Sequence, residues 1–439
     1  MKRRSFLKQA AAGFSTAAFL GGEATALGKA PANERISVAL VGVRGRGGGL
    51  LEVFAAQPDV DVTYICDVDE SVRNQRAEGV AKKTGRRPVA TGDFRQALDD
   101  ASLDALVIAT PDHWHAIATI LACQAGKDVY VEKPDGHNAI EGRAMVRAAE
   151  KHGRVVQLGT QARSGPHLFS AMQYIAEGKL GKVRFAKAWE SSRQGSIGHT
   201  PDSDPPPGVD YDMWLGPAPL RPFNQRRFHS SWRWFFDYGT GDLGNDGVHR
   251  LDVARWGLET ALAAEGKILP AVPRRVSALG GKHYFDDDQE WPDNLMVTYE
   301  YPDCLLTYEM RIWTRYPLDG ESEGAAVLGD QGSITIGNGR WRAFDDRGRQ
   351  VAEQEGGYND PGHARNFLDC MRTRGKPAAD LASVGHPSSL LCHLGNAAWR
   401  AGRSLQFDPR TYTIAGDPDA DQYLRRPEYR KPWVLPELT

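Results

Sequence analysis

Short runs rich in β-branched residues alternate with stretches of helical periodicity over the first third of the chain. Arg35 to Val41 reads as a strand ending at Gly42, and Gly48 to Gln57 as a helix feeding a second strand, Val60 to Cys66, that stops at Asp67. A polar helix covers Glu70 to Thr84, and a short capped one Asp93 to Leu98. Leu103 to Ala109 and Asp128 to Val131 count as the fourth and fifth strands, separated by a helix over His113 to Ala125. A helix over Asn138 to His152 then leads to a last strand, Arg154 to Leu158. Strands joined by helices of this length make βαβ units, and such units build a parallel sheet.

Beyond residue 165 the periodicity changes. A helix over Pro166 to Glu177 is followed by a long strand, Lys182 to Glu190, and residues 195–245, rich in Pro, Trp and Asp, read as loop. Strand-like runs follow at Arg274 to Leu279, Asn294 to Tyr301, Cys304 to Ile312, Ala325 to Leu328 and Ser333 to Ile336. Their short connections imply a mostly antiparallel sheet. Helices over His363 to Thr373 and Pro387 to Gly402 close the chain.

Composition narrows the class. With 54 Lys+Arg against 56 Asp+Glu the formal charge is −2, so no basic surplus marks nucleic acid as a partner. No stretch approaches ~20 apolar residues, the length of a membrane span. The N-terminus stands apart: Arg3-Arg4-Ser5-Phe6-Leu7-Lys8 precedes an Ala/Gly-rich run, and small residues follow at Ala24-Thr25-Ala26 and Gly28-Lys29-Ala30. This resembles a twin-arginine export signal over residues 1–30, which implies a periplasmic or extracytoplasmic location. Its removal takes away five cations and one anion, leaving −6. The five cysteines are widely spaced without a C-x-x-C pair, which suits buried thiols in cargo folded before export better than a disulfide framework.

Gly42-Val43-Arg44-Gly45-Arg46-Gly47 follows the first strand and opens a helix. A dinucleotide fold needs such a turn so that backbone N–H groups approach a pyrophosphate without Cβ interference. A strict G-x-G-x-x-G would place glycine at 44, where this chain has Arg44 and puts glycine at 45 instead. Asp67, 25 residues after Gly42 at the end of the next strand, supplies the carboxylate that accepts both ribose hydroxyls and so favours NAD over NADP. The expected architecture is an α/β Rossmann domain with a parallel sheet over residues 34–160, then an α+β domain with a mostly antiparallel open sheet over residues 161–439.

Glu132-Lys133-Pro134 stands at the carboxyl edge of the fifth strand, where ligands of such sheets bind. Thr110-Pro111-Asp112-His113-Trp114-His115 follows the fourth strand, Gly159-Thr160-Gln161-Ala162-Arg163 opens the second half, and Gly244-Asn245-Asp246-Gly247-Val248-His249-Arg250-Leu251-Asp252 lies further on. In this order the segments resemble the Gfo/Idh/MocA oxidoreductase family, which includes glucose–fructose oxidoreductase and inositol 2-dehydrogenase. The resemblance implies that Lys133 lies beside the nicotinamide and contacts the reacting hydroxyl, often through a cis lysine–proline bond. It makes His249 the acid/base and puts asparagine at 245 where the family has aspartate. Asp252, three residues past His249, orients that histidine or pairs with Arg255.

The residues expected at the cofactor are therefore Gly42, Arg44, Gly45, Arg46, Gly47, Asp67, Thr110, Pro111, His115, Glu132, Lys133 and Gln161. Those expected at the substrate are Lys133, Arg163, Trp234, Asn245 and His249. Trp114, Trp189 and Trp232 are further candidates to stack on a sugar face. His113 and His115 invite a metal, but no H-E-x-x-H or carboxylate–histidine cluster supports one. The expected protein is an exported, homo-oligomeric, NAD-dependent oxidoreductase acting on a carbohydrate or polyol hydroxyl, with tightly held cofactor. Two alternatives are a redox-neutral glycoside hydrolase or lyase passing through a keto-sugar, and a sugar-binding protein without catalysis.

Overall fold

The computed structural model describes residues 34–436; the export segment expected at residues 1–30 lies outside them. The first sheet contains β1 (Ile36–Val41), β2 (Val60–Cys66), β3 (Val89–Thr91), β4 (Ala105–Ile108), β5 (Asp128–Val131) and β6 (Val156–Leu158). Their order is β3-β2-β1-β4-β5-β6, and every pair is parallel. The third strand, implied but not located by the pattern, is the three-residue β3. Helices α1 (Gly45–Ala55), α2 (Glu70–Thr84), α3 (Arg95–Leu98), α4 (Asp112–Gln124) and α5 (Ala139–His152) cover this sheet. Strand order reverses between β1 and β4, and a parallel sheet opens its ligand crevice at such a point.

The second sheet is built from β7 (Val183–Glu190), β8 (Arg275–Gly281), β9 (Asn294–Glu300), β10 (Leu305–Arg311), β11 (Glu323–Gly329), β12 (Gly332–Ile336), β13 (Arg340–Asp345) and β14 (Gln350–Glu355). Its order is β14-β13-β12-β11-β7-β10-β9-β8; β7 and β10 run parallel, all other neighbours antiparallel. The sequence reading located neither β13 nor β14: β13 (Arg-Trp-Arg-Ala-Phe-Asp) buries only Trp341 and Ala343, and β14 (Gln-Val-Ala-Glu-Gln-Glu) buries nothing fully. Residues 195–245 are not all loop: α7 (Tyr211–Leu215) and a short turn at Ser231–Trp234 interrupt them. The remaining helices are α6 (Pro166–Ala176), α8 (Val248–Ala264), α9 (Asp360–Thr373) and α10 (His386–Ala401). Helix α8 lays Val248, Leu251, Ala254, Leu258 and Leu262 into the core of the second sheet.

One late helix crosses back. Ala364, Phe367, Leu368, Cys370 and Met371 of α9 are buried with Val38, Leu40, Leu50, Phe54 and Tyr130 of the first domain. Phe367 meets the Phe54 and Tyr130 rings edge-on at 6.4 and 6.0 Å. Arg365 pairs with Asp59 at 2.7 Å and Arg374 with Asp128 at 2.6 Å. All five cysteines are buried and free. Because Phe367 fills the first core from a helix 200 residues downstream of it, Phe367→Ala should cost about 3–5 kcal/mol. Urea unfolding should show this as a lower midpoint; an unchanged midpoint would mean that the first domain does not depend on α9.

Candidate active site

The chain leaves β1 through Gly42, whose φ of +78° suits glycine, and a Cβ there would lie 2.8 Å from the Ala109 carbonyl. A Cβ on Gly47 would strike the Gly42 carbonyl at 1.7 Å, while one on Gly45 would meet nothing within 4 Å. Gly42 and Gly47 thus bring β1, β4 and α1 together, and Gly45 leaves the mouth of the turn open. Arg44 caps α1 without a side-chain hydrogen bond, so the helix's first N–H groups keep their donors for an anion. Asp67 accepts from the Val43 N–H (2.9 Å) and the Asp69 N–H (3.0 Å); burial holds its carboxyl above the usual range against those two bonds. Val41, Gly42, Arg44, Gly45, Arg46, Asp67, Thr110 and Pro111 line one cleft, and Trp232, Arg233, His229 and Ser230 of the second domain close it. Glycine cradle, free helix N-terminus and strand-end carboxylate fit an NAD.

The catalytic end lies where β5 stops. The Lys133–Pro134 bond is cis. Lys133 Nζ donates to the Asn245 carbonyl (2.7 Å) and to Asn245 Oδ1 (2.9 Å). His249, near the start of α8, is half-buried, and its Nδ1 has no hydrogen-bond partner among the described residues. Burial and then the charge on Lys133 push its pKa well below the ordinary value, so the imidazole is neutral. A cation with an adjacent neutral imidazole can polarise a hydroxyl and accept its proton.

Several expected contacts serve as braces instead. Arg163 does not face the cleft: its Nε and Nη2 donate to the two oxygens of Asp252, each at 2.8 Å, and its guanidinium covers the Trp256 ring. Asp252 therefore neither orients His249 nor pairs with Arg255; its third bond comes from Ser388 Oγ, while Arg255 pairs with Glu259. His115 ties the Pro134 carbonyl (2.7 Å) to the Thr110 carbonyl (2.9 Å), which fixes the two loops of the crevice from behind. His113, which burial keeps neutral, has its two ring nitrogens beside the Tyr238 and Trp214 carbonyls and donates its one N–H to one of them. Glu132 accepts from Arg46 Nε and Gln161 Nε2, both at 2.9 Å, and Arg46 continues to Asp360 on α9. Trp114 and Trp232 line the nucleotide cleft, away from Lys133 and His249, and Trp114, Trp189 and Trp234 are all buried. Burial explains the Trp234 misassignment: the residue is 5% exposed and belongs to the buried cluster of the second domain with Phe228, Phe235 and Tyr238.

The sequence reading passed over Asp112, Asp242 and Arg233. Asp112, 3% exposed, accepts from Thr240 Oγ1 at 2.7 Å. Asp242 lies within the stretch read as loop; only its nearness to the quoted Gly244–Asp252 segment pointed to it.

The first domain is thus an NAD-binding Rossmann domain, and the chain has the architecture of a two-domain oxidoreductase. Residues 36–160 match the description "Oxidoreductase family, NAD-binding Rossmann fold", and residues 184–268 and 321–435 match "Oxidoreductase family, C-terminal alpha/beta domain". The protein belongs to the Gfo/Idh/MocA family. Among curated relatives, a glycosyl hydrolase family 109 protein of Saccharopolyspora erythraea is 31% identical over 159 residues, 35% of this chain and 34% of its own. Levoglucosan dehydrogenase of Pseudarthrobacter phenanthrenivorans is 28% identical over 193 residues, 44% of this chain and 42% of its own. The chain thus spans well under half the length of either.

Solved structures show the same fold. Aldose–aldose oxidoreductase from Caulobacter crescentus, complexed with glycerol, superposes with a TM-score of 0.64 at 18% identity, covering 85% of this chain and 100% of that one. The WlbA dehydrogenase from Bordetella pertussis, with NADH and UDP-GlcNAcA, gives 0.62 at 19% identity, covering 85% and 99%.

Hydrogen bonds to a charged group are worth about 1.5–3 kcal/mol, so Asp67→Ala should weaken NAD roughly 10–100-fold and narrow its advantage over NADP. Fluorescence titration with both dinucleotides measures this; an unmoved preference would remove Asp67 from the ribose site.

Proposed function

We propose that this protein is an NAD-dependent oxidoreductase acting on a hydroxyl of a sugar or polyol. The observation that carries the reading is the nearness of Lys133, at the strand-end crevice, to a neutral His249 whose Nδ1 lacks a partner among the described residues. Bound NAD supplies a hydride acceptor. Lys133 Nζ exchanges one Asn245 oxygen for the substrate oxygen and holds the negative charge that grows there. His249 takes the hydroxyl proton at Nδ1. The carbohydrate class rests on the levoglucosan dehydrogenase and aldose–aldose oxidoreductase likenesses.

A second reading is favoured by the glycosyl hydrolase family 109 relatives, one of them the alpha-N-acetylgalactosaminidase of Shewanella oneidensis. There the same hydride transfer would be reversed after glycosidic cleavage, with no net NADH. Comparing NADH formation with bond cleavage on one panel of sugars and glycosides separates the two.

We infer further that the protein is exported through the Arg3-Arg4 segment, assembles as a homo-oligomer and keeps its cofactor between turnovers. Retention is supported by the second domain's grip on the nucleotide edge. Gly208 accepts from the Glu70 N–H (2.9 Å), Asp210 donates to Val68 (3.0 Å), and His229 meets Asp69 at 3.2 Å.

Lys133→Met and His249→Ala should each lower turnover ~10²–10⁴-fold while bound NAD persists, and the double variant should be scarcely worse than either single one. Full activity of His249→Ala on whatever substrate is found would end this mechanism. Changing Arg3-Arg4 to Lys-Lys should abolish extracytoplasmic yield without loss of folded protein in the cytoplasm; normal yield would remove the export reading.

A further inference from the structure

Both acceptors of Lys133 belong to Asn245, so whatever sets the direction of that amide sets the state of the lysine. Asn245 sits in a wide turn, Leu243–Gly247, in which hydrogen bonds skip one residue more than in an α-helix. The turn brings its side-chain amide to two carboxylates: Nδ2 donates to Asp246 Oδ2 (3.1 Å) and, more loosely, to Asp242 Oδ1 (3.4 Å). The amide thus shows its oxygen to the ammonium and its two N–H bonds to the acids. Flipped, it would face Lys133 with donors.

Asp242 and Asp246 are not equivalent. Asp246 is half-buried, whereas Asp242 is 1% exposed and its Oδ2 has no hydrogen-bond partner among the described residues. Two further polar atoms in the same interior are also unpartnered, Tyr308 Oη on β10 and Glu190 Oε2 on β7, both in residues 0% exposed. The charge on Asp242 acts on both. Around Asp242 stand Asp246 and Asn245 from its own turn, Arg233 from Ser231–Trp234, Lys133 from the loop after β5, Tyr308 and Glu190; Asp112 at the start of α4 shares Lys133 and Arg233 with it, and Tyr308 also faces the thiol of Cys392 on α10.

We propose that Asp242 is a positioning residue of the catalytic centre: ionised, it shares with Asp246 the hold that keeps the Asn245 amide with Oδ1 toward Lys133, and on gaining a proton it withdraws its part of that hold. A protonated Asp242 presents an O–H donor to the amide where it had offered an acceptor, which favours the amide oxygen on its side. The amide then turns away from Lys133, and the lysine loses its side-chain acceptor. Burial and the neighbouring Asp246 push the Asp242 carboxyl up to about 7, while Arg233 and Lys133 pull it down. His249 is depressed well below its ordinary value, and burial raises Glu190 to about 9, so neither changes charge near neutrality. The device therefore acts between mildly acid and neutral pH, with the held state on the alkaline side. Its effect on turnover rests on the proposed oxidoreductase reading; its effect on Lys133 does not.

Acetylation of Lys133 by acetic anhydride, read by peptide mass spectrometry against exposed Lys82 from pH 5 to 9, tests the hold without a substrate. The Lys133/Lys82 ratio should step down as pH rises through about 7. Asp242→Asn should erase the step and leave the ratio at its acid-side level, about tenfold higher for one withdrawn opposing charge. Asp246→Asn should move the step to lower pH by removing a like charge, and Asn245→Asp, which has no amide to turn, should abolish the step. With a turned-over sugar, the acid limb of kcat should follow the same shifts while bound NAD and melting temperature stay constant. A ratio without a step, or an unchanged step in Asp242→Asn, overturns the proposal. If Asp242→Asn does not fold, Asn245→Ala cuts the bridge with both carboxylates in place, and a step that survives there overturns it equally. A step with no NADH formed from any sugar or polyol would sink the proposed function and leave the role of Asp242 standing.

Discussion

The ammonium of Lys133 bridges the two domains at the site, and its need for acceptors constrains the residues around it. Lys133 leaves β5 half-buried, where lost hydration has to be replaced by fixed oxygens, and both it finds are on Asn245 in the other domain. Each end must then be located to within tenths of an ångström. On the lysine side, His115 holds the Pro134 carbonyl, and Asp135, completely buried, is clamped by His386 at 2.5 Å and His393 at 3.2 Å from α10. Burial would raise the Asp135 carboxyl, but these two imidazoles hold it below the ordinary range. On the asparagine side, the wide turn before α8 is packed so tightly that a Cβ on Gly247 would lie 2.6 Å from the Tyr308 hydroxyl.

The same requirement explains why charged residues that look like ligand contacts are occupied elsewhere. A buried ion left without its partner costs about 3–5 kcal/mol, so the interior favours pairs satisfied within the protein. Arg163 and Asp252 are 6% and 0% exposed and meet through two parallel bonds, which joins the start of the second domain to α8. Arg250 binds Glu323, Asn338 and Tyr358, with Glu190 3.9 Å away, and so anchors the next position of α8 to β7 and β11. These pairs set where His249 stands between them. They shape the site without touching what it binds.

How much of this was legible depended on the range over which each feature is determined. The glycine turn, Asp67 and the Glu132-Lys133-Pro134 edge follow from local geometry, since a strand, a tight turn and a helix start fix their own residue types within about ten positions. The parallel first sheet followed for the same reason. Asp252 was misread because its partner lies 89 residues away on another element, and helical spacing suggested only neighbours. Trp234 was misread because tryptophan composition does not reveal which side of a short turn faces the core. Asp242 escaped notice because a Pro- and Asp-rich stretch gave no helical period, although a wide turn there gathers three polar side chains.

In the proposed reaction Lys133 and His249 oppose each other on the proton and cooperate on the bond. The lysine's charge helps depress His249, which makes the imidazole a weaker base in isolation. A base so weak would be a poor acceptor for an ordinary alcohol proton. The same charge, however, stabilises the alkoxide as it forms, and in a half-buried site that effect is larger than in water. What His249 loses in basicity the substrate oxygen regains in acidity, provided the ammonium points at that oxygen. Direction, more than charge, is therefore the quantity the surrounding residues must control, and the neutral amide at 245 controls it without adding a third carboxylate beside Asp242 and Asp246. An aspartate there would bind the ammonium more strongly and hold it back from the substrate. The amide gives a contact that Lys133 can exchange.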